Sequence, residues 1–294
     1  MKKFFITLIP LLTGAMLSAQ LPECDIWVFD FSSYNSRFTF RNGFNVTDHK
    51  GYDNQPCFSE SGSYMLWTSQ RDSLGTDIYR YDFSNKAIKR ITQTAYSEYS
   101  PTYMDGNKYI SAVVVEKDSV QRLWKYNKMT GEGTVLMPRV TQVGYHCWYD
   151  SRTVFLFKVT EPSTLEIANA ASGVTKVCAG NVGRCMQVWH SPKAKLLLYE
   201  IDDGKGNFTI RALNGSGMNV ADFAPVALPE GCQDFALDAN DNIFAAKEAK
   251  LYQWKIGSST EWALAADFGG NGLHSITRIA ISSSGHKIAL VDNN

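Results

Sequence analysis

An internal repeat with a period of about 45 residues runs through the sequence and narrows the choice of fold. Each copy reads as a short strand, a turn, a continuous apolar strand, a loop, an alternating strand and a last short strand. Equivalent positions near the end of the first strand are Phe58, Tyr103, Trp148, Trp189, Leu237 and Ile281. They are spaced 45, 45, 41, 48 and 44 residues apart, which predicts a repeat architecture.

The two ends of the chain complete one repeat between them. The last copy stops after two strand patterns, and the missing half lies at the other end, where segment 25–31 matches segment 77–83 at four of seven positions. Segment 37–47 can supply the fourth strand. Because proteins avoid unpaired strand edges, we predict that the terminal strands pair and close a ring. The expected fold is an all-β six-bladed β-propeller, closed by pairing N-terminal strands with the C-terminal blade.

The residues of each copy agree with such blades. Gly62, Gly106 and Gly285 stand where two strands must reverse, and glycine supplies the positive φ of a tight hairpin. The continuous apolar segment 111–115 is typical of a strand that is buried on both faces. The alternative is a β-sandwich of about twelve strands, but a sandwich requires no fixed period.

Several motifs between residues 53 and 106 closely resemble the WD-like repeat of TolB-type propellers. They are P-x-F-S-x-x-G at 56–62, W-x-S-x-R-D at 67–72, D-I-Y-x-Y-D at 77–82 and R-I-T at 90–92. The likeness decreases after the second copy, where Trp148, Trp189 and Leu237 replace Phe-Ser. It implies a stand-alone TolB-like propeller without the α/β domain that precedes the propeller in TolB. Similar repeats occur in prolyl-peptidase propellers and in oligogalacturonate lyase, so the fold alone does not decide the function.

The first nineteen residues have the pattern of a secretory signal peptide. Lys2 and Lys3 precede a mostly apolar stretch, 4–12, and Ala19 offers a small residue for cleavage. We predict a signal peptide at 1–19, a single propeller domain at 20–294 and a periplasmic or secreted location. A buried N-terminal helix is the alternative. No later stretch is long and apolar enough for a membrane span, so no transmembrane segment is expected in the mature chain.

Six cysteines follow the predicted cleavage point: Cys24, Cys57, Cys147, Cys178, Cys185 and Cys232. In an oxidising compartment an even number permits disulfides. Cys178 and Cys185 flank a short glycine-containing segment, and we predict a disulfide between them. Buried free thiols are the alternative, which suits Cys57 and Cys147. No C-x-x-C pattern occurs, so neither a zinc site nor another metal site is predicted.

The charge and the motifs exclude several function classes. The chain has 29 basic and 29 acidic residues, so a nucleic-acid-binding surface is not predicted. Gly215-Ser216-Gly217 is the nearest string to a hydrolase elbow, but it lies in a polar loop without the following α/β pattern. We therefore predict no catalytic residue and no cofactor.

A propeller can still bring distant residues together at the mouth of its central channel. By register, six residues lie near the beginnings of the innermost strands, and Tyr145 belongs to a group of tyrosines at connections between blades that suits protein or carbohydrate contacts. The predicted binding residues are Tyr99, Tyr145, His146, Arg184, Asp234, His274 and Arg278. A metal or lyase site is one interpretation of this set, and a polar lining of a wet channel is the other.

These observations favour a non-catalytic module, a monomer that binds a protein or peptide of the bacterial cell envelope. The alternative is a carbohydrate-active enzyme, a lyase or hydrolase, or a glycan-binding propeller that uses the channel mouth. A lyase would bring several histidines and carboxylates together on one metal. His146 and His274 at the same mouth, within reach of a third ligand, would favour the enzyme.

Overall fold

A computed structural model describes residues 21–34, 37–72, 75–104, 106, 108–191 and 193–293. These residues form 24 β-strands and one short 3₁₀ turn at Gly269–Asn271. The predicted signal peptide, 1–19, lies outside them. None of the described residues belongs to a helix with the length and apolar character needed to cross a bilayer.

The strands follow one another as an N-terminal pair, five groups of four and a C-terminal pair. The N-terminal pair is β1 (Cys24–Tyr34) and β2 (Arg37–Asn45). The first group is β3 (Tyr52–Phe58), β4 (Tyr64–Asp72), β5 (Gly75–Asp82) and β6 (Ala87–Arg90). The second group is β7 (Ser97–Met104), β8 (Tyr109–Val115), β9 (Gln121–Asn127) and β10 (Gly133–Val135).

The third group is β11 (Val143–Trp148), β12 (Thr153–Lys158), β13 (Thr164–Asn169) and β14 (Thr175–Gly180). The fourth is β15 (Val182–His190), β16 (Lys195–Asp202), β17 (Phe208–Leu213) and β18 (Val226–Ala227). The fifth is β19 (Phe235–Leu237), β20 (Asn242–Lys247), β21 (Lys250–Lys255) and β22 (Ala263–Asp267). The C-terminal pair is β23 (Ile276–Ile281) and β24 (Lys287–Asn293). Each group of four forms an antiparallel meander.

The terminal pairs combine into one further four-stranded unit. In it β24 lies between β23 and β1, and β2 covers the other edge of β1. Ile26 pairs with Val291 and Phe29 pairs with Ile288, so the predicted closure of the chain is confirmed. A single parallel pair, Cys24 with Tyr52, joins this unit to the first group.

The units are arranged in a ring. Their innermost strands contact one another in the order β3, β7, β11, β15, β19, β23 and back to β3. A β-sandwich has no such cycle, because it packs two sheets face to face. The fold is therefore an all-β propeller, and we interpret the units as the six blades that the repeat predicts.

Hydrophobic packing joins each unit to the next. Six buried apolar clusters are present among the described residues, and each combines side chains of two neighbouring units. Successive side chains of the second strand in a unit point alternately toward the preceding unit and toward the following unit. In β4, Leu66 packs toward the following unit, whereas Met65 and Trp67 pack toward the preceding one. This explains why the second strands have continuous apolar sequences.

The predicted Cys178–Cys185 disulfide is absent from the structure, in which all six cysteines are free thiols. Cys178 lies on β14, the outermost strand of one unit, whereas Cys185 lies on β15, the innermost strand of the next. The two residues are close in sequence only because the chain crosses from the rim of the ring to its centre between them. Cys185 Sγ instead donates a hydrogen bond to the Phe235 carbonyl oxygen at 3.2 Å.

The role of the closing unit can be tested by shortening one of its buried side chains. Leu290 on β24 is fully buried against the neighbouring unit, so Leu290→Ala should lower the free energy of unfolding by about 2–5 kcal/mol in urea denaturation. Leu264→Ala on the outer strand β22 is the matched control, because Leu264 is 58% exposed. Its effect should stay within about 0.5 kcal/mol. Equal losses for both variants would contradict the closure as a source of stability.

Candidate functional site

The innermost strands share an irregularity that shapes the channel. Five of the six contain a register shift, located at Asn54/Cys57, Tyr99/Thr102, Val143/Tyr145, Val182/Met186 and Ile276/Arg278. Such bulges bend a strand and re-aim its side chains. The bulge in β3 is also tied to its neighbour, because Gln55 Oε1 accepts hydrogen bonds from the Ser100 amide at 2.7 Å and from Thr68 Oγ1 at 3.0 Å.

A wide funnel of about 850 Å³ lies at the ends of the innermost strands. All six equivalent positions of the sequence repeat line it: Phe58, Tyr103, Trp148, Trp189, Leu237 and Ile281. The wall is therefore a ring of aromatic and aliphatic side chains, one from each unit. The lining also contains four carboxylates, Glu60, Asp150, Asp238 and Asp241. The described lining residues include no lysine or arginine.

The indoles of the funnel are held in fixed orientations. Trp148 Nε1 donates to Ser111 Oγ at 2.8 Å, and Trp189 Nε1 donates to Asp241 Oδ1 at 2.8 Å. Each ring thus has its polar atom bound to the protein and leaves apolar surface for a ligand. The funnel wall is preorganised for contact with an apolar or aromatic group.

A narrower chamber of about 430 Å³ continues from the funnel. The two cavities share part of their lining, including Tyr103, Trp148 and Ala280, so they form one channel. The chamber differs from the funnel in its polar side chains. Five of the predicted binding residues line it: Tyr145, His146, Arg184, Asp234 and Arg278.

Arg278 extends across the chamber. Its Nη2 donates a hydrogen bond to the Tyr145 hydroxyl at 2.8 Å, and its Nη1 lies 3.6 Å from Asp234 Oδ2. Tyr145 is on β11 and Arg278 is on β23, strands that lie opposite one another in the order of contacts around the ring. Arg184 on β15 also extends across the channel, toward β23, because its Nη2 donates to the Thr277 carbonyl oxygen at 3.4 Å. Side chains of opposite strands therefore meet in the channel at this level.

Two buried carboxyl groups accompany the arginines. Burial raises the pKa of Asp234, while Arg278 and Arg184 act against this rise. Burial, followed by the charge of Asp234, raises the pKa of Glu200 to about 8. Glu200 Oε2 accepts a hydrogen bond from the Cys185 amide at 3.2 Å, and Oε1 has no partner among the described residues. Burial therefore favours the protonated form of Glu200.

Local backbone geometry makes room for the Glu200 side chain. Gly183 lies in the bulge of β15, and a Cβ at this position would collide with the Glu200 carboxyl group. Glycine is needed there because the backbone and the buried acid approach each other closely.

His146 is a neutral residue in this chamber. Burial lowers its pKa to about 3, and its Nε2 lies 2.7 Å from Ser111 Oγ. Ser111 Oγ also accepts a hydrogen bond from Trp148 Nε1 and donates one to the Thr102 carbonyl oxygen at 3.4 Å, so His146 belongs to a polar network with the preceding unit. The Nδ1 atom has no partner among the described residues.

Two of the predicted binding residues lie apart from the chamber. Tyr99 packs against two apolar clusters, one between the second and third groups and one between the closing unit and the first group, and its neighbour Ser100 lines the chamber instead. The His274 side chain is 77% exposed, and its Nδ1 lies 3.7 Å from Asp292 Oδ2. His146 and His274 therefore do not share one site. In the described part of the chain, no group of three or more His, Cys, Asp or Glu residues is arranged to hold a metal.

Two features of this channel go beyond the predictions from the sequence. The six repeat positions align the copies, but their spacing alone does not indicate that their side chains line a funnel. Glu200 is the second feature, although a glutamate directly after the apolar run 196–199 breaks the pattern of a buried strand. A charged residue at such a position is the available signal of a buried polar cluster.

The raised pKa of Glu200 predicts a pH dependence of stability. Its pKa is about 8 in the folded protein and 4.5 ordinarily, so the folded protein retains a proton that the unfolded chain loses. The resulting stabilisation is complete below the ordinary value and is lost as pH rises toward 8. Glu200→Gln keeps an oxygen for the Cys185 amide and cannot ionise. Relative to the wild type, it should gain roughly 3–5 kcal/mol in unfolding free energy between pH 5 and pH 9.

Chemical denaturation at several pH values measures this difference. Glu230→Gln is the matched control, because Glu230 is exposed in a loop. This variant should follow the wild-type curve throughout. A Glu200→Gln curve parallel to that of the wild type would contradict the protonated state.

Comparison with known proteins identifies the fold. No protein-family model matches the sequence, and no curated protein matches it. A structure from Agrobacterium tumefaciens described as TolB superposes with a TM-score of 0.67 at 12% identity, over 93% of this chain and 99% of that one. TolB from Acinetobacter baumannii superposes with a TM-score of 0.57 at 10% identity, over 93% of this chain and 64% of that one.

A third similar structure is a nidogen/laminin complex, with a TM-score of 0.58 and 10% identity over 81% of this chain and 92% of that one. Identities of this size establish the fold and not the activity. They agree with the resemblance between the motifs of residues 53–106 and TolB-type repeats. The protein has the fold of a TolB-like β-propeller.

Proposed function

We propose that this protein is an exported, non-catalytic binding module whose funnel docks a segment of a protein or peptide of the bacterial cell envelope. The observation that carries the proposal is the ring of six apolar and aromatic side chains around the funnel. Tryptophan and tyrosine dominate binding energy at protein interfaces because they bury a large area with little loss of conformational freedom.

The shape and charge of the funnel favour an inserted chain segment over a flat partner surface. A cavity of about 850 Å³ has the size of a concave ligand site. Its carboxylates stand without lysine or arginine among the described lining residues, so a segment that carries positive charge is complementary to them.

Support for export and for a protein partner comes from other observations. The pattern of residues 1–19 is that of a secretory signal, which would deliver the propeller to the cell envelope. One of the structures with a similar fold is a nidogen/laminin complex, so protein assemblies include this architecture.

The proposal is tested by selecting peptides from a random display library on the mature protein and measuring their affinity by calorimetry. Trp148→Leu and Trp189→Leu remove two aromatic walls of the funnel and keep an apolar side chain. Each should weaken binding by at least about tenfold, as expected for interface tryptophans. Trp262→Leu is the matched control, because Trp262 lies beside the outer strand β22 and bonds the Ala227 carbonyl oxygen.

The controls separate binding from folding and from catalysis. All variants should keep the β-sheet circular dichroism of the wild type. Equal affinity of the three variants would place peptide binding outside the funnel and overturn the proposal. Depolymerisation of envelope glycans by the pure protein, without any selected peptide, would favour the carbohydrate-active alternative.

A further inference from the structure

The chamber below the funnel has an unbalanced positive charge. Its described lining residues include two arginines, Arg184 and Arg278, but only one carboxylate, Asp234. Glu200 does not line the chamber, and burial raises its pKa to about 8. The lining therefore offers one carboxylate to two guanidinium groups, an arrangement that a bound anion would balance.

Arg184 is the guanidinium with unused donors. Arg278 has both Tyr145 and Asp234, whereas Arg184 has one long hydrogen bond, to the Thr277 carbonyl oxygen at 3.4 Å. Its Nε is buried and has no partner among the described residues, and no described carboxylate lies within ion-pair distance of it. A planar guanidinium with free N–H groups matches an oxyanion that accepts two hydrogen bonds.

A neutral side chain adds a further donor to the same chamber. The Tyr145 oxygen accepts from Arg278, which leaves the hydroxyl proton free to be donated. His146 Nδ1 also has no partner among the described residues. The two arginines distinguish this chamber from the acidic funnel above it.

We propose that the chamber is a subsite for one carboxylate group, held by Arg184 with Arg278 and Tyr145. The lining has one guanidinium more than it has carboxylates, which matches a monovalent carboxylate better than a doubly charged phosphate. The continuous channel provides the route, because funnel and chamber share lining residues. This inference rests on the proposed function: the docked segment would present its C-terminal carboxylate to the chamber while its preceding residues contact the acidic funnel.

The first experiment tests the subsite without any peptide. Sodium acetate replaces sodium chloride at constant ionic strength, and NMR records the arginine Nε–H signals of the mature protein. The signals of Arg184 and Arg278 should shift and saturate. Arg184→Gln should abolish the response of Arg278, whereas Arg41→Gln on the exposed strand β2 should leave it unchanged. Signals that do not respond to acetate would overturn the proposal.

The second experiment compares each peptide selected on the funnel in two forms, with a free C-terminal carboxylate and with a C-terminal amide. The acid should bind at least about tenfold more tightly, the ratio that one charge-assisted hydrogen bond supplies. Arg184→Gln should remove this preference and retain the binding of the amide. Arg184 is chosen because its single long contact makes it less important for folding than Arg278.

The outcomes separate the two proposals. Acid and amide forms that bind equally would overturn the carboxylate subsite and leave peptide docking intact. Saturable acetate binding without any peptide binding would support the subsite, would assign it to small free carboxylates, and would overturn peptide docking. A preference for the acid that survives Arg184→Gln would overturn the assigned residues.

Discussion

Burial of both faces of the second strand in each unit determines the rest of the architecture. In β16, Leu197 and Tyr199 pack toward the preceding unit, while Leu196 and Leu198 pack toward the following one. A four-stranded unit that exposes both apolar faces cannot be stable alone in water, so every unit needs two neighbours. A closed ring satisfies this need for all units, and it leaves only the axis and the outer rim for polar groups.

Polar residues concentrate at the central channel for the same reason. Innermost strands face a channel that no neighbouring unit fills, and bulges in these strands allow a polar side chain where the alternation would otherwise bury an apolar one. Arg278 uses that freedom to reach Tyr145 on the opposite side of the ring. The result is a polarised channel, with carboxylates in the funnel and arginines in the chamber, although the whole chain has equal numbers of acidic and basic residues.

The sequence predicts the ring well because each unit of the ring corresponds to one copy of the 45-residue repeat. Spacing alone brought Trp148 and Trp189 to equivalent positions, and these residues do line one funnel. Radial position is harder to predict. Cys178 and Cys185 are neighbours in sequence but occupy an outermost and an innermost strand. His274 is close in sequence to the innermost strand β23, but its side chain lies in solvent.

Contacts between side chains on opposite sides of the channel cannot be predicted from local sequence patterns. Residues such as Tyr145 and Arg278 meet because of the diameter of the ring, and that diameter depends on the packing of all units. The same reason explains why the protonated state of Glu200 could not be predicted. Its pKa depends on burial and on Asp234, a residue of another unit that approaches only after the ring has formed.

The pairing of β1 with β24 has a consequence for biosynthesis. A ribosome delivers β1 early and β24 after all the other described strands, so one edge of β1 stays unpaired while the intervening units emerge. Ring closure is a late event with a large loop-closure cost, because Ile26 must find Val291 across nearly the whole chain. The nascent chain therefore exposes an unpaired strand edge for most of its synthesis, and a chaperone that covers such edges would protect it from aggregation until the last strand is made.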